Sequence, residues 1–173
     1  FAIRYPRGEA YRGLKEFHAP VEYGRGEMLY EEKDIALLAV GSMVSTGEHV
    51  REKLKAEGWN CTLANGRFVK PFDEELVDRL AKNHWLVVTM EENVLQGGYG
   101  LMVTRYIHEH YPHVKVMNIA IPDGYVEHGN VSLLRKGLGI DSDSVIWRMK
   151  KEYLDTERQN MEWKTINTEE KKA

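Results

Sequence analysis

The first residues of the chain place two arginines around a proline, in the order Arg4-Tyr5-Pro6-Arg7-Gly8. A guanidinium group presents paired N–H donors that match two oxygens of a phosphate. Proline cannot donate to a strand ladder, so the apolar-led strand predicted over residues 1–5 should end near Tyr5. Arg4 and Arg7 would then stand at a strand end. The residues alone favour surface salt bridges there and leave anion binding as the alternative.

A second candidate for phosphate chemistry is the loop Gly97-Gly98-Tyr99-Gly100, which follows a predicted strand and opens a predicted helix. Backbone N–H groups at such a place can bind a pyrophosphate. The dinucleotide fingerprint is incomplete, because Val103 stands where a small residue is needed for close packing. Glu91 and Glu92 precede the loop and would repel an anion. We therefore predict a tight turn with a close backbone contact, and keep nucleotide binding as an alternative.

The same two glutamates could form an acid/base pair. Adjacent residues at a strand end point to opposite faces, so Glu91 and Glu92 cannot easily flank one substrate atom. We predict that one of them caps the following helix and that the other faces solvent. The sequence assigns no chemistry to His128, which lies in a later loop.

Histidines and the cysteine suggest no metal site. His108 and His110 are two residues apart and do not share a helix face, and Pro112 interrupts the helix before His113. We predict a solvated helix end there. The chain has one cysteine, Cys61, which excludes a disulfide framework and a CxxC metal site.

Composition narrows the class of protein. The 173 residues include 24 lysines and arginines and 27 aspartates and glutamates, a net charge of −3 that excludes a strongly basic nucleic-acid-binding surface. No apolar run approaches the ~20 residues of a membrane span, and the first residues lack a signal peptide's apolar stretch. We expect a reducing, cytoplasm-like compartment. Because the chain begins with Phe1, we expect a piece of a longer polypeptide; a processed N-terminus or a tag is the alternative.

Apolar runs alternate with amphipathic stretches over most of the chain. Continuous apolar runs predict strands that are covered on both faces, as in parallel sheets. The alternation predicts an α/β fold, a three-layer α/β/α domain with a mostly parallel sheet. The predicted strands are 35–40, 60–64, 85–90 and 114–121, with a short edge strand near 26–30. The predicted helices are 43–57, one capped by Asp73, one that runs to about His110, 131–136, and one capped by Asp141.

Several short motifs follow one another along the chain: Arg4-Tyr5-Pro6-Arg7-Gly8, Arg67-Phe68-Val69-Lys70-Pro71-Phe72-Asp73, Thr89-Met90-Glu91-Glu92-Asn93, Gly97-Gly98-Tyr99-Gly100, Ile121-Pro122-Asp123 with His128-Gly129, and Leu138-Gly139-Ile140-Asp141. Each is weak alone. Their order and spacing over residues 1–154 resemble the C-terminal, transketolase-type domain of the 1-deoxy-D-xylulose-5-phosphate synthase family. The alternatives are the same domain of a transketolase or of a 2-oxoacid dehydrogenase beta subunit, or a non-catalytic nucleotide-binding module.

The resemblance implies a domain division. Residues 1–8 would be the last strand of a preceding middle domain, 9–33 a linker with the short edge strand, 34–155 the transketolase C-terminal-like domain, and 156–173 a polar tail. It also implies a homodimer in a bacterial cytoplasm or a plastid-type organelle, with no nucleic-acid or membrane partner.

The resemblance further implies a full-length transferase that uses thiamine diphosphate and magnesium. That enzyme condenses pyruvate with glyceraldehyde 3-phosphate, releases carbon dioxide, and serves the non-mevalonate route to isoprenoids. This chain lacks the family's Gly-Asp-Gly motif, because Asp123-Gly124 has no preceding glycine. We therefore expect no catalytic residue and no bound cofactor or metal in this chain alone, and a structural and dimerisation role. By resemblance, Arg7 holds the phosphate of the aldehyde substrate.

Overall fold

A computed structural model describes residues 2–5 and 10–157 of the chain. Strands and helices alternate, as the apolar pattern predicts. Their bounds are β1 Glu27–Tyr30, β2 Ile35–Ala39, α1 Met43–Ala56, β3 Cys61–Asn65, α2 Glu74–Asn83, β4 Leu86–Val94, α3 Tyr99–His110, β5 Lys115–Ile121, α4 Val131–Gly137 and α5 Ser142–Met149, which a π-helical turn over Lys150–Leu154 continues.

The strands form one sheet in the order β1-β3-β2-β4-β5. Strands β2 to β5 pair in parallel, whereas β1 pairs antiparallel with β3 at one edge. In the middle of the sheet, Leu37 of β2 lies opposite Leu63 of β3 and Val88 of β4. Every residue of β2 is buried, which is typical of a parallel strand covered on both faces. Strands β2 and β4, which the apolar runs 35–40 and 85–90 predict, each lie between two other strands of the sheet.

Alternate side chains of β2 separate the core into two parts. Leu37 belongs to a cluster with residues of α1 and α5, including Val50. Ala36 belongs to a second cluster with residues of α2 and α3, including Leu80. Helices therefore cover both faces of the sheet, and the predicted three-layer α/β/α fold is confirmed.

The predicted helix caps are present. The Asp73 carboxylate accepts the N–H of Leu76 at 3.1 Å and begins α2. The Asp141 carboxylate accepts the N–H of Asp143 at 3.1 Å and begins α5. Both caps satisfy backbone donors that a helix leaves unpaired in its first turn.

The segment predicted as a linker is attached to the domain along its length. Residues 10–26 contain no helix or strand, yet Leu14 and Phe17 pack against the first core cluster. The Tyr11 hydroxyl donates to the Glu48 carboxylate on α1. The Arg67 guanidinium donates to the carbonyl of Ala19 at 3.2 Å. The edge strand predicted in this segment is confirmed as β1.

The described structure differs from the predicted strands in two places. Residues 2–5 were predicted as a strand, but they form none and are exposed, because no described strand lies beside them to complete a hydrogen-bonded ladder. Strand β4 continues to Val94 rather than ending at Met90. After an irregularity that follows Met90, Val94 pairs with Ile121 of β5 and extends the ladder.

The end of the described chain covers part of the β5 edge. The Tyr153 hydroxyl donates to the Val116 carbonyl at 3.4 Å, and Leu154 is buried in the first core cluster. Residues 158–173, most of the predicted polar tail, lie outside the described residues. Among the described residues, no helix has the length and apolar character needed to cross a bilayer.

Candidate functional site

The candidate site is the edge of the sheet where the parallel strands β2, β4 and β5 end. In open α/β sheets, ligand sites form at the carboxyl ends of the strands, from the residues that follow them. Ser42 comes just after β2, and Glu91 and Glu92 lie in the last part of β4. The polar residues singled out from the sequence are therefore brought to one edge.

Glu91 is the helix cap that the sequence predicts. Its side chain is 3 % exposed, and its carboxylate accepts the N–H of Tyr99 at 3.0 Å and of Gly100 at 2.7 Å. Burial raises the pKa of Glu91, and the two backbone hydrogen bonds together with the charge of Arg4 oppose that rise. The negative carboxylate also suits the positive end of the helix dipole.

The loop needs glycines because the Glu91 carboxylate lies too close to the backbone at Gly98 and Gly100 to leave room for a side chain. A side-chain carbon at Gly98 would lie 2.5 Å from the Val94 carbonyl and 2.6 Å from a Glu91 carboxylate oxygen. One at Gly100 would lie 2.5 Å from the Asn118 side chain. The predicted tight turn with a close contact is confirmed. Because Glu91 already occupies the start of α3, the geometry gives a pyrophosphate no place there and argues against the nucleotide-binding alternative.

Glu92 was predicted to face solvent, and this was wrong. Its carboxylate accepts two hydrogen bonds from Arg135 of α4, at 2.9 and 2.8 Å, and a third from the Ser42 hydroxyl. The side chains of Glu92 and Arg135 are only 27 % and 26 % exposed. Paired N–H donors that meet both carboxylate oxygens are the strongest arrangement of this ion pair. Glu92 thus joins β4 to α4 and to the start of α1.

The pKa values of the two carboxyl groups at this edge shift in opposite directions. Hydrogen bonds from Arg135 lower the pKa of Glu92. The hydrogen bond from Ser42 and the charge of Arg4 lower this pKa further, whereas partial burial opposes the shift. The Glu92 carboxylate in turn raises the pKa of Arg135. Arg4 therefore lies within electrostatic reach of both glutamates. Arg7, the predicted phosphate ligand, lies outside the described residues, and its role stays a prediction.

The histidines do not assemble into a metal site. His110 ends α3, and its Nδ1 lies 2.9 Å from the Tyr106 carbonyl. His128 is exposed in the loop before α4. Across the part of the chain that the structure describes, no group of three or more His, Cys, Asp or Glu side chains could hold a metal ion. With the start of α3 filled by Glu91, the described residues do not fit a diphosphate and its magnesium ion.

The sequence reasoning missed Arg135 and Ser42 as members of this edge. Arg135 lies 43 residues after Glu92, in a short helix that gives no local sign of its partner. The helix itself is predicted at 131–136, and Asn130 caps its start by accepting the N–H of Ser132 at 3.0 Å. That prediction already places Arg135 one turn into the helix, but it carries no signal for a partner on β4.

Comparisons with known proteins agree with this geometry. The transketolase C-terminal domain family matches residues 24–145. A 1-deoxy-D-xylulose-5-phosphate synthase of Lachnoclostridium phytofermentans is 48 % identical over 146 residues, which cover 84 % of this chain and 23 % of the relative. One of Heliobacterium modesticaldum is 40 % identical over 91 % of this chain and 24 % of the relative. The chain thus spans about a quarter of the length of these relatives.

Solved structures show the same fold. A split gene transketolase, solved as an inactive beta4 tetramer, superimposes with a TM-score of 0.72 and 30 % identity, over 77 % of this chain and 43 % of the other. A transketolase from Campylobacter jejuni aligns with a TM-score of 0.51 at 18 % identity, over 75 % of this chain and 19 % of the other, which supports the fold alone. The chain therefore belongs to the transketolase C-terminal domain family, in the branch represented by the 1-deoxy-D-xylulose-5-phosphate synthases.

Proposed function

We propose that this chain is the C-terminal domain of a thiamine-diphosphate-dependent synthase that condenses pyruvate with glyceraldehyde 3-phosphate and releases carbon dioxide. The observation that carries the proposal is the 48 % identity to a 1-deoxy-D-xylulose-5-phosphate synthase over 84 % of this chain. That relative is about four times longer, so the whole enzyme's chemistry would need the remaining polypeptide. The product would enter isoprenoid precursor synthesis.

The proposed division of labour follows from the residues at the sheet edge. Glu91 and the glycine loop are used to begin α3, and the described residues leave no cluster for a metal ion. Thiamine diphosphate and magnesium, which supply the carbanion chemistry in such a synthase, would be held by the rest of the polypeptide. The domain alone would be catalytically inactive and would support folding and a homodimer. The bacterial relatives support the cytoplasm as its compartment.

Arg7 is the residue of this chain that we propose to touch substrate. Its guanidinium would bind the phosphate of glyceraldehyde 3-phosphate, a role that Lys could copy only in part because it lacks the planar fork. Pro6, before it, restricts the backbone, so less conformational freedom is lost on binding.

The test is Arg7→Ala in the full-length enzyme. Losing a charged hydrogen bond costs about 1.5–3 kcal/mol, so kcat/KM for glyceraldehyde 3-phosphate should fall roughly ten- to a hundredfold. Pyruvate has no phosphate, and its KM should change less. Arg7→Lys should recover part of the loss. Equal damage to the kinetics of both substrates, or a loss of stability with intact kinetics, would show that Arg7 is structural.

A further inference from the structure

Two dipeptides of this chain have the composition that allows a backbone nitrogen to react with the preceding side chain. Asn65-Gly66 and Asp123-Gly124 are the only places in the sequence where glycine follows asparagine or aspartate. Glycine favours the reaction because it has no Cβ to hinder its nitrogen and because its backbone turns readily. Asn65 ends β3 and Asp123 follows β5, so both dipeptides lie at the carboxyl edge of the sheet. The structure gives them opposite surroundings.

Asn65-Gly66 is held by the sheet. Asn65 lies opposite Glu27 of β1 and Ala39 of β2. The Gly66 N–H, whose nitrogen would attack, donates to the Ala39 carbonyl at 2.8 Å. The Asn65 side-chain oxygen accepts the N–H of Arg67 at 3.1 Å. Because ring closure requires the backbone to rotate and to give up these hydrogen bonds, the fold protects this dipeptide.

Asp123-Gly124 lies in the open loop between β5 and α4. Both residues are exposed at a bend of the chain, and the next residue, Tyr125, is 95 % exposed. Within the described residues, neither the Asp123 carboxylate nor the Gly124 N–H makes a hydrogen bond. A side-chain carbon at Gly124 would meet nothing within 4 Å, so the backbone has room to turn. The fold therefore does not keep the attacking nitrogen away from the side-chain carbon.

We propose that Asp123 is a site of spontaneous isoaspartate formation, and that the sheet protects Asn65 from the same chemistry. The Gly124 nitrogen bonds to the side-chain carbon of the protonated Asp123 carboxyl group. The hydrogen of the nitrogen and the carboxyl O–H leave together as water, and a cyclic succinimide remains. A water molecule then opens the ring. Attack at the side-chain carbonyl restores aspartate, whereas attack at the main-chain carbonyl leaves the backbone running through the side chain.

The modified loop leads into the candidate site. Isoaspartate lengthens the backbone between β5 and α4 by the side-chain methylene carbon and keeps one carboxylate at residue 123. Helix α4 carries Arg135, which donates to the Glu92 carboxylate. The modification therefore alters the connection that brings Arg135 to this edge of the sheet.

The experiment ages the full-length enzyme in neutral buffer and then digests it with trypsin. Isoaspartate in each peptide is measured by methyl transfer from S-adenosylmethionine with an isoaspartyl methyltransferase. Cleavage after lysine and arginine places Asp123 in the peptide 116–135, where it is the only aspartate, and Asn65 in the peptide 56–67. Isoaspartate should accumulate in 116–135 and should stay at the level of unaged enzyme in 56–67.

Two variants remove the reaction at Asp123 by different means. Asp123→Glu keeps the charge of an exposed residue, but glutamate would have to close a larger ring, so the signal of 116–135 should fall to the level of unaged enzyme. Gly124→Ala should lower the same signal, because a methyl group hinders the attacking nitrogen. The open space at Gly124 accommodates that methyl group, so this variant tests the chemistry in an intact fold.

Ageing in guanidinium chloride separates the effect of the fold from that of the sequence. In the unfolded chain both dipeptides lose their surroundings, and Asn65 should then react faster than Asp123, because its amide nitrogen leaves readily as ammonia. The order of the two peptides should therefore reverse on unfolding. Three outcomes would overturn the proposal: no gain of isoaspartate in 116–135 of the folded enzyme, a signal there that survives in Asp123→Glu, or faster modification of 56–67 than of 116–135 in the folded enzyme.

Discussion

Helices α3 and α4 are both fixed by glutamates at the end of β4, but by opposite means. Glu91 is enclosed and satisfies backbone donors at the start of α3, where glycines let it approach. Glu92 is partly exposed and holds α4 through a side-chain ion pair with Arg135. Helix α3 buries Val103 and Ile107, whereas α4 buries no residue fully. The α3 junction is therefore part of the core, and the α4 junction is a surface attachment.

The difference shows that two neighbouring carboxylates can have unrelated structural roles. A buried acceptor that satisfies backbone groups is costly to remove, because its donors are left unpaired away from water. A half-exposed ion pair is cheaper to lose, because water replaces it. Substitutions at the two junctions should separate these two kinds of support.

The largest effect should come from Gly98→Ala. The added carbon would lie 2.5 Å from the Val94 carbonyl and would press on Glu91, in backbone that alanine could otherwise adopt. We expect a loss of about 2–4 kcal/mol in the free energy of unfolding. Urea denaturation of the chain measures it. A loss below about 0.5 kcal/mol would mean that the α3 junction is not tightly packed.

Glu91→Gln should cause the second-largest loss in the free energy of unfolding. The amide has one oxygen, so either the Tyr99 or the Gly100 N–H loses its acceptor, at a cost of about 1–3 kcal/mol. The raised pKa of Glu91 means that its contribution is complete below its ordinary pKa and is lost as the pH rises through the folded-state pKa. The deficit of the variant, measured by denaturation at several pH values, should shrink as the pH rises. A deficit that grows with pH would contradict this.

Arg135→Met should cost about 1 kcal/mol near neutral pH, because the pair is only half-buried and side-chain packing is largely kept. The pKa of Glu92 is lowered, so its contribution is present above its ordinary pKa and is lost as the pH falls through the folded-state pKa. The deficit should therefore shrink on acidification, opposite in sign to that of Glu91→Gln. The same titration of unfolding free energies checks both, and parallel pH dependences would remove the distinction between the junctions.

Gly137→Ala should have the smallest effect on stability, and it should stabilise the folded chain. Gly137 ends α4, and a side-chain carbon there would meet nothing within 4 Å. Alanine is favoured over glycine in a helix by about 0.5–1 kcal/mol. A small rise in the thermal unfolding midpoint measures it. A fall would show that α4 packs more closely than its exposure indicates.

Local patterns sufficed for most of the fold. The apolar run of β2 predicted a strand buried on both faces, and Asp73 and Asp141 predicted two helix starts; all are confirmed. Glu91 could be predicted as a cap because the helix it caps begins eight residues later. In each case the cause lies within one element or its immediate neighbour.

The features that local sequence patterns did not predict are contacts between residues far apart in the chain. Glu92 meets Arg135 only because β4 and α4 end at one edge of the sheet, 43 residues apart. The Tyr11–Glu48 contact, 37 residues apart, likewise attaches a segment that local composition predicts to be a linker. Residues 2–5 form no strand in the described structure, because a strand depends on a neighbour as much as on its own residues.

The cover over β5 has a consequence for how the protein behaves in a crowded solution. An edge strand offers unpaired backbone groups to any other extended chain, and natural sheets protect such edges. Strand β1 is only four residues long, but β5 has seven and bounds the other side. The Tyr153 hydroxyl donates to the Val116 carbonyl, and Lys115 places a charge at the start of β5, so part of that edge is protected. The π-helical turn thus covers part of the edge to which another extended chain could pair, and we expect a chain shortened before Lys150 to expose it.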